Sequence, residues 1–276
     1  MADLEPIDQD PPGQPNVTAP TILTGARRNT ALDPYRGSRI CVEPCACPEG
    51  YPRPCTPNAP EEPICLEDTV DDCQSFTFEG FDWQALDEGD LDECGGCGDI
   101  EDRVNEIVAS GAAYMLGQEI DSAPLTGNPS LQEWALDIAP GIVAHPADAT
   151  AMLMHAAARK GQYRSTFVGA DHMLPTLLEA GLVTQVNGQW RLAGRPIIFS
   201  PGISGLGPLG VDPGPGAAYL YHIGGSVDYN WTPVNFSSMA STAPQTRYAK
   251  TAHLHSRWRQ VSCDSTRSAS ALLPSA

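Results

Sequence analysis

The chain has 276 residues, 41% of them hydrophobic, with 26 prolines, nine cysteines and a formal net charge of −18. That length supports one large core or two domains. "MADLEPIDQD" offers no signal peptide and no run approaches the roughly 20 apolar residues of a membrane helix, which predicts a soluble protein without a membrane partner. Residues 1–102 hold 23 of the 34 acids against five arginines, whereas residues 103–276 hold eleven charges of each sign, so the first third lacks the basic footprint that phosphates require.

Residues 1–40 show no periodicity and carry Pro11, Pro12, Pro15 and Pro20, the signature of an extended arm that takes its order from something else. Next comes "CVEPCACPEGYPRPC", and with it the acidic stretch 41–98, in which eight of the nine cysteines fall. Three states are open for these thiols. Disulfides or close oxidisable pairs among Cys41, Cys45, Cys47, Cys55, Cys65, Cys73, Cys94 and Cys97 would replace a core that the segment cannot build, once the protein has left a reducing cytoplasm. A zinc site would draw on Cys41, Cys45, Cys47, Cys55, Cys94 and Cys97; only Cys94-Gly-Gly-Cys97 has knuckle spacing, and prolines interrupt the others. Free thiols are the third state, and no basic neighbour activates a catalytic one.

"SFTFEGFDW" predicts two short strand pieces, with Phe76 and Phe78 before Gly80 and Phe81 and Trp83 after it. From Asp99 to Asp121 the apolar residues Ile100, Val104, Ile107, Val108, Met115 and Leu116 recur at helical spacing behind an acidic first turn. A second helix is expected at "ADATAMLMHAAARKG", capped by Asp148 or Thr150 and stopped at Gly161, and a third between Asp171 and Gly181. Strand patterns then alternate with Gly/Pro turns from Leu182 to Cys263, including a hairpin on Asn187-Gly188. Helices first and strands later make the fold class α+β.

Chemistry leaves little trace. Gly205-Leu-Gly207-Pro-Leu-Gly210 matches a dinucleotide fingerprint in letters, but Pro208 and the following "VDPGPG" preclude the helix that would hold a pyrophosphate, so it reads as a flexible loop. His253 and His255 share a strand face without a convincing third metal ligand beyond Cys263, while His145 and His172 stand alone. No catalytic residue and no cofactor is expected.

The ordered series "NPSL" (Asn128–Leu131), "HPADATAMLMHAAARKGQY", "TFVGADHMLPTLLEAGLV", "AGRPIIFSPGISGLGP", "YLYHIGGSVDY" and "AKTAHLHSRWRQVSC" resembles the major capsid proteins of tailed bacteriophages, the Hong Kong 97 fold, particularly those of actinobacterial phages. The resemblance spans residues 99–264; His172 falls later than the family's histidine, and residues 1–98 match only as an arm-like lead-in. It implies an N-terminal arm (1–40), a lateral loop within the Cys/Pro-rich region (41–98), a spine helix and peripheral domain (99–145), an axial domain (146–235) and a return strand with a C-terminal tail (236–276). The loop bearing Pro201, Gly202, Gly205, Gly207 and Gly210 would face the capsomer centre. The implied function is a shell subunit that assembles with itself into hexamers and pentamers in the host bacterial cytoplasm and becomes part of the virion. Its partners would be portal, scaffold and maturation factors, with double-stranded DNA enclosed without sequence-specific binding. The only lysines, Lys160 and Lys250, lie outside the lateral loop, so the family's lysine–asparagine cross-link is not expected, and the acidic lead should face outward or lie between subunits. A minor virion or head-completion protein is the alternative, and a zinc or redox enzyme using the cysteines a more distant one.

Overall fold

The computed structural model describes residues 22–34, 38–42, 74–90, 98–159, 165–240, 247–261 and 266–273. In chain order these form α1 (Ile22–Gly25), β1 (Arg27–Arg28), β2 (Ser38–Val42), β3 (Gln74–Phe78), β4 (Phe81–Asp90) and the long helix α2 (Gly98–Asp121). Then follow α3 (Leu131–Trp134), β5 (Leu136–Asp137), β6 (Val143–Ala144), α4 (Pro146–Arg159), β7 (Thr166–Ala170), α5 (Leu174–Glu179), β8 (Val183–Val186), β9 (Gln189–Leu192) and β10 (Arg195–Ser200). The chain closes with β11 (Ala217–Ile223), β12 (Ser226–Trp231), β13 (Asn235–Ala240), β14 (Arg247–Val261) and β15 (Arg267–Leu272).

Helix α2 serves two sheets, and its sequence explains how. Ile100, Val104, Val108, Ala112, Leu116 and Ile120 are all buried and follow one another at intervals of four. Because a helix turns once in 3.6 residues, each such step rotates the stripe by about 40°. The apolar face therefore winds around the helix. Gly111 meets the ring of Trp83 on β4, whereas Gly117, nearly two turns later, meets Ser200 and Gly202 at the end of β10.

The five-stranded sheet is organised by β14. One edge of this strand takes β12 and then β13, the other takes β4, and Ser256 pairs with both Trp231 and Phe81. Strand β1 extends the sheet in parallel beyond β12. The eight-stranded sheet runs β5-β15-β11-β7-β10-β9-β8, with β6 also on β15. Its central strands are buried along nearly their whole length, as Thr166–Ala170 and Ala217–Ile223 are, so they read as continuous apolar runs rather than alternating ones.

Several expectations meet particular outcomes. The predicted helices at Asp99, Ala147 and Asp171 are α2, α4, and a tight turn at Asp171–Met173 running into α5. Neither Asp148 nor Thr150 caps α4: the helix begins at Pro146, whose missing N–H suits the first position, and Thr150 donates its hydroxyl to the Pro146 carbonyl from inside the helix. The Asn187-Gly188 hairpin forms with φ values of 51° and 76°, the left-handed pair such a turn requires. The strand pieces around Gly80 exist but do not pair with each other. β3 joins β2 and β4 joins β14, and a Cβ on Gly80 would lie 2.3 Å from the Pro34 carbonyl that crosses the junction. The strands also cross the sequence boundaries. β12, within 146–235, belongs to the five-stranded sheet, while β15, within 236–276, belongs to the eight-stranded one, because each pairs according to its apolar faces rather than its order in the chain.

Candidate functional site

Seven of the eight N-terminal cysteines, Cys45, Cys47, Cys55, Cys65, Cys73, Cys94 and Cys97, lie outside the described residues. Cys41 stands on β2 opposite Ser75, in an antiparallel ladder that also pairs Val42 with Gln74. Among the described residues no group of three or more His, Cys, Asp or Glu side chains is placed to hold a metal. His255 engages Asp82 through Nδ1 and His253 lies 3.2 Å from the Ser237 hydroxyl, so each ties β14 to a neighbouring strand. His145 accepts from the Ala147 N–H at the start of α4, and His172 faces Asp171 at 3.8 Å. Sequence reading missed His222, which is wholly buried edge-on to Phe167. Burial, with Arg195 and Arg267 nearby, lowers its pKa to about 4, so it packs as a neutral ring.

The glycine-rich loop is not free, as its composition implied. A Cβ on Gly202 would lie 2.2 Å from the Tyr114 carbonyl and 2.7 Å from the Gln118 nitrogen, so the loop touches α2 backbone to backbone. Gly207 lies against the ring of Tyr219, the Gly205 carbonyl accepts from the Tyr219 N–H at 2.9 Å, and the Tyr221 hydroxyl donates to the Leu206 carbonyl. These glycines serve close approach rather than mobility. The part from Leu209 onward is the most open, with Leu209 85% exposed.

One carboxylate knits this seam. Asp121, at the end of α2, accepts from the Gln132 side chain at 2.8 Å and the Ser204 N–H at 3.1 Å, joining α2, α3 and the glycine loop. Its other oxygen is buried without a partner, and burial raises its pKa above the ordinary carboxylate range. The "NPSL" residues act nearby: Asn128 exchanges two hydrogen bonds with the backbone of Glu79, Ser130 caps α3 by accepting from the Glu133 N–H, and Leu131 is buried.

A second carboxylate fastens the N-terminal segment. Asp228 on β12 is buried and accepts two bonds from Arg27, at 2.8 and 2.9 Å, one from Asn29 at 2.9 Å and two weaker ones from Arg259. Burial alone would raise its pKa; the bonds from Arg27 and Asn29 and the arginine charges outweigh that and hold it below the usual range. The Asn29 N–H donates to Tyr229, Asn230 donates to the Leu32 carbonyl, and Arg257 reaches the carbonyls of Asp33 and Phe78. Residues 22–34 thus order against their own chain. For them, the expectation of an arm ordered only by something else does not hold, because β12 presents both a free edge and a buried anion to receive them.

No family model matches the sequence, and no curated protein does. Solved structures do. The capsid of a native GTA particle, solved with C5 symmetry, matches at a TM-score of 0.57 and 10% identity over 96% of this chain and 95% of its own. A structure from Gordonia phage Cozz matches at 0.50 and 14% over 99% and 92%, and the encapsulin complex of Synechococcus elongatus at 0.50 and 10% over 73% and 76%. The chain has the fold of phage capsid proteins, the Hong Kong 97-like fold.

Proposed function

We propose that this protein is a shell-forming capsid subunit, the major capsid protein of a tailed phage that encloses double-stranded DNA. The observation that supports it most is the extent of the likeness: capsid chains align over 96% to 99% of the sequence, with both sheets and the shared helix included. Physically, two sheets locked to one helix make a stiff plate. The β2–β3 ladder is the base of the lateral loop, and the exposed part of the Pro201–Gly216 loop is what the capsomer centre receives. The subunit is structural rather than enzymatic, forms hexamers and pentamers, and meets portal, scaffold and maturation factors without binding a DNA sequence.

Negative-stain microscopy and sedimentation of the purified full chain test this reading. Closed shells or five- and six-membered rings are expected; a monomer at every concentration overturns it. Particles from infected cells should contain double-stranded DNA and this chain in hundreds of copies per shell, whereas a few copies per particle would assign it to head completion instead. Reducing denaturing gels of those particles should show one monomer band, since no lysine precedes residue 99.

A further inference from the structure

The chain has one asparagine followed by glycine, Asn187-Gly188; its other asparagines precede valine, threonine, alanine, glutamate, proline, tryptophan or phenylalanine. The pair forms the exposed tip of the β8–β9 hairpin, and nothing lies within 4 Å of the place a Cβ would take on Gly188. Among the described residues neither the Asn187 carboxamide nor the Gly188 N–H has a hydrogen-bond partner. The carboxamides of Asn29, Asn128 and Asn230, by contrast, are all engaged.

This tip can yield without disturbing the sheet. Strand β8 ends the strand order, and β9 meets β10 only at Arg191 and Leu192, so residues 186–189 are held by the hairpin's own pairing. A two-stranded ribbon is marginal by itself, and its end opens far more readily than the centre of a sheet. Val183 and Leu192, paired and buried, keep the base of the hairpin shut. Asparagine amides are thermolabile, and here an unengaged amide stands beside an unengaged backbone nitrogen in a segment free to rotate.

We propose that Asn187 is a site of spontaneous deamidation through a cyclic imide formed with Gly188, with water as the co-reactant. The Gly188 nitrogen gives its proton to solvent and bonds to the Asn187 side-chain carbonyl carbon, Cγ. The bond from Cγ to Nδ2 breaks, and Nδ2 takes a proton and leaves as ammonia. Glycine favours this step because it has no Cβ to crowd the attacking nitrogen. Water then opens the imide. Cleaving the new N–Cγ bond gives aspartate, and cleaving the backbone C–N bond gives isoaspartate, in which the chain runs through Cβ; nothing is oxidised or reduced. Either product adds a negative charge, and isoaspartate adds a backbone carbon that the two-residue turn between Val186 and Gln189 cannot hold in register.

The test ages the full folded chain in mildly alkaline buffer at physiological temperature and weighs its tryptic peptides. Residues 165–191 form one such peptide, in which Asn187 is the only asparagine. It should gain the mass difference between NH2 and OH at least about tenfold faster than the peptides of Asn29, Asn128 or Asn230, and should split into aspartate and isoaspartate isomers. Amides of residues 185–190 should exchange faster in the aged protein, while those of Val183 and Leu192 keep their protection. Gly188→Ala should slow the conversion at least about tenfold, even though the φ of 76° there loosens the hairpin of that variant. A folded chain that keeps Asn187 intact while the guanidinium-unfolded chain loses it overturns the proposal, since the turn then protects the site. Conversion to aspartate alone, unchanged in Gly188→Ala, also overturns it, because that is direct hydrolysis without an imide. If the variant fails to fold, the isomer mixture in the folded parent decides.

Discussion

The two sheets are held by different means. In the eight-stranded sheet β8, β9 and β10 form a meander, and the interior is filled by Phe167, Val168, Ile197, Ile198, Phe199 and Leu220, all essentially inaccessible. The five-stranded sheet gathers strands from residues 27 to 261, and its seams are closed by buried polar groups: Asp228 with two arginines, Asn230 on Leu32, and Arg257 on Asp33 and Phe78. Apolar packing supplies cohesion without direction. Joining distant segments also needs direction, and hydrogen bonds supply it.

The strongest way to break the five-stranded side is Trp258→Ala. Trp258 is fully buried on β14 and packs edge-on against Phe78 at 5.1 Å, so its removal should cost about 3–5 kcal/mol in chemical denaturation and loosen β3 with it. Gly202→Ala addresses the seam between the sheets. Its methyl group would collide with the α2 backbone, and a loss of roughly 1–3 kcal/mol is expected. Calorimetry should then resolve two transitions where the parent has one. A single, unshifted transition would show that the sheets are not coupled through this contact.

The two buried carboxylates sharpen the contrast, because their pH dependences have opposite sign. Asp228 titrates below its unfolded value of about 3.9. The stability it contributes is complete above that value and is lost as pH falls through the folded pKa. Asp121 titrates above its unfolded value, so its contribution is complete in acid and is lost as pH rises through the folded pKa. Asp228→Asn should therefore weaken the protein near neutrality, by about 1–2 kcal/mol once the exposure of Arg27 is discounted, and speed tryptic cleavage at Arg27 and Arg28. Asp121→Asn should raise the neutral-pH melting temperature and flatten its acid dependence. Melting curves from pH 3 to 8 decide both. The smallest effect belongs to Gly188→Ala, about 1 kcal/mol, since the hairpin needs a positive φ there and has open space for the methyl group.

The sequence alone was enough for α2, α4, α5 and the Asn187 hairpin, because periodicity, proline and the Asn-Gly pair act within a few residues. It also showed the neutral core and, by the ordered series of motifs, the fold. It was silent on Asp228, one acid among 34, whose meaning depends on Arg27 lying 201 residues away. Composition misread the glycine loop for a related reason: glycine permits both a mobile chain and a close approach, and only the helix on the other side of Gly202 distinguishes them. The sequence determined the main helices, the Asn-Gly hairpin and where charge and apolar surface concentrate, since these follow from local sterics and solvation. Only the tertiary structure decided which strands share a sheet and which carboxylates are buried, since those depend on pairings between residues far apart in the chain.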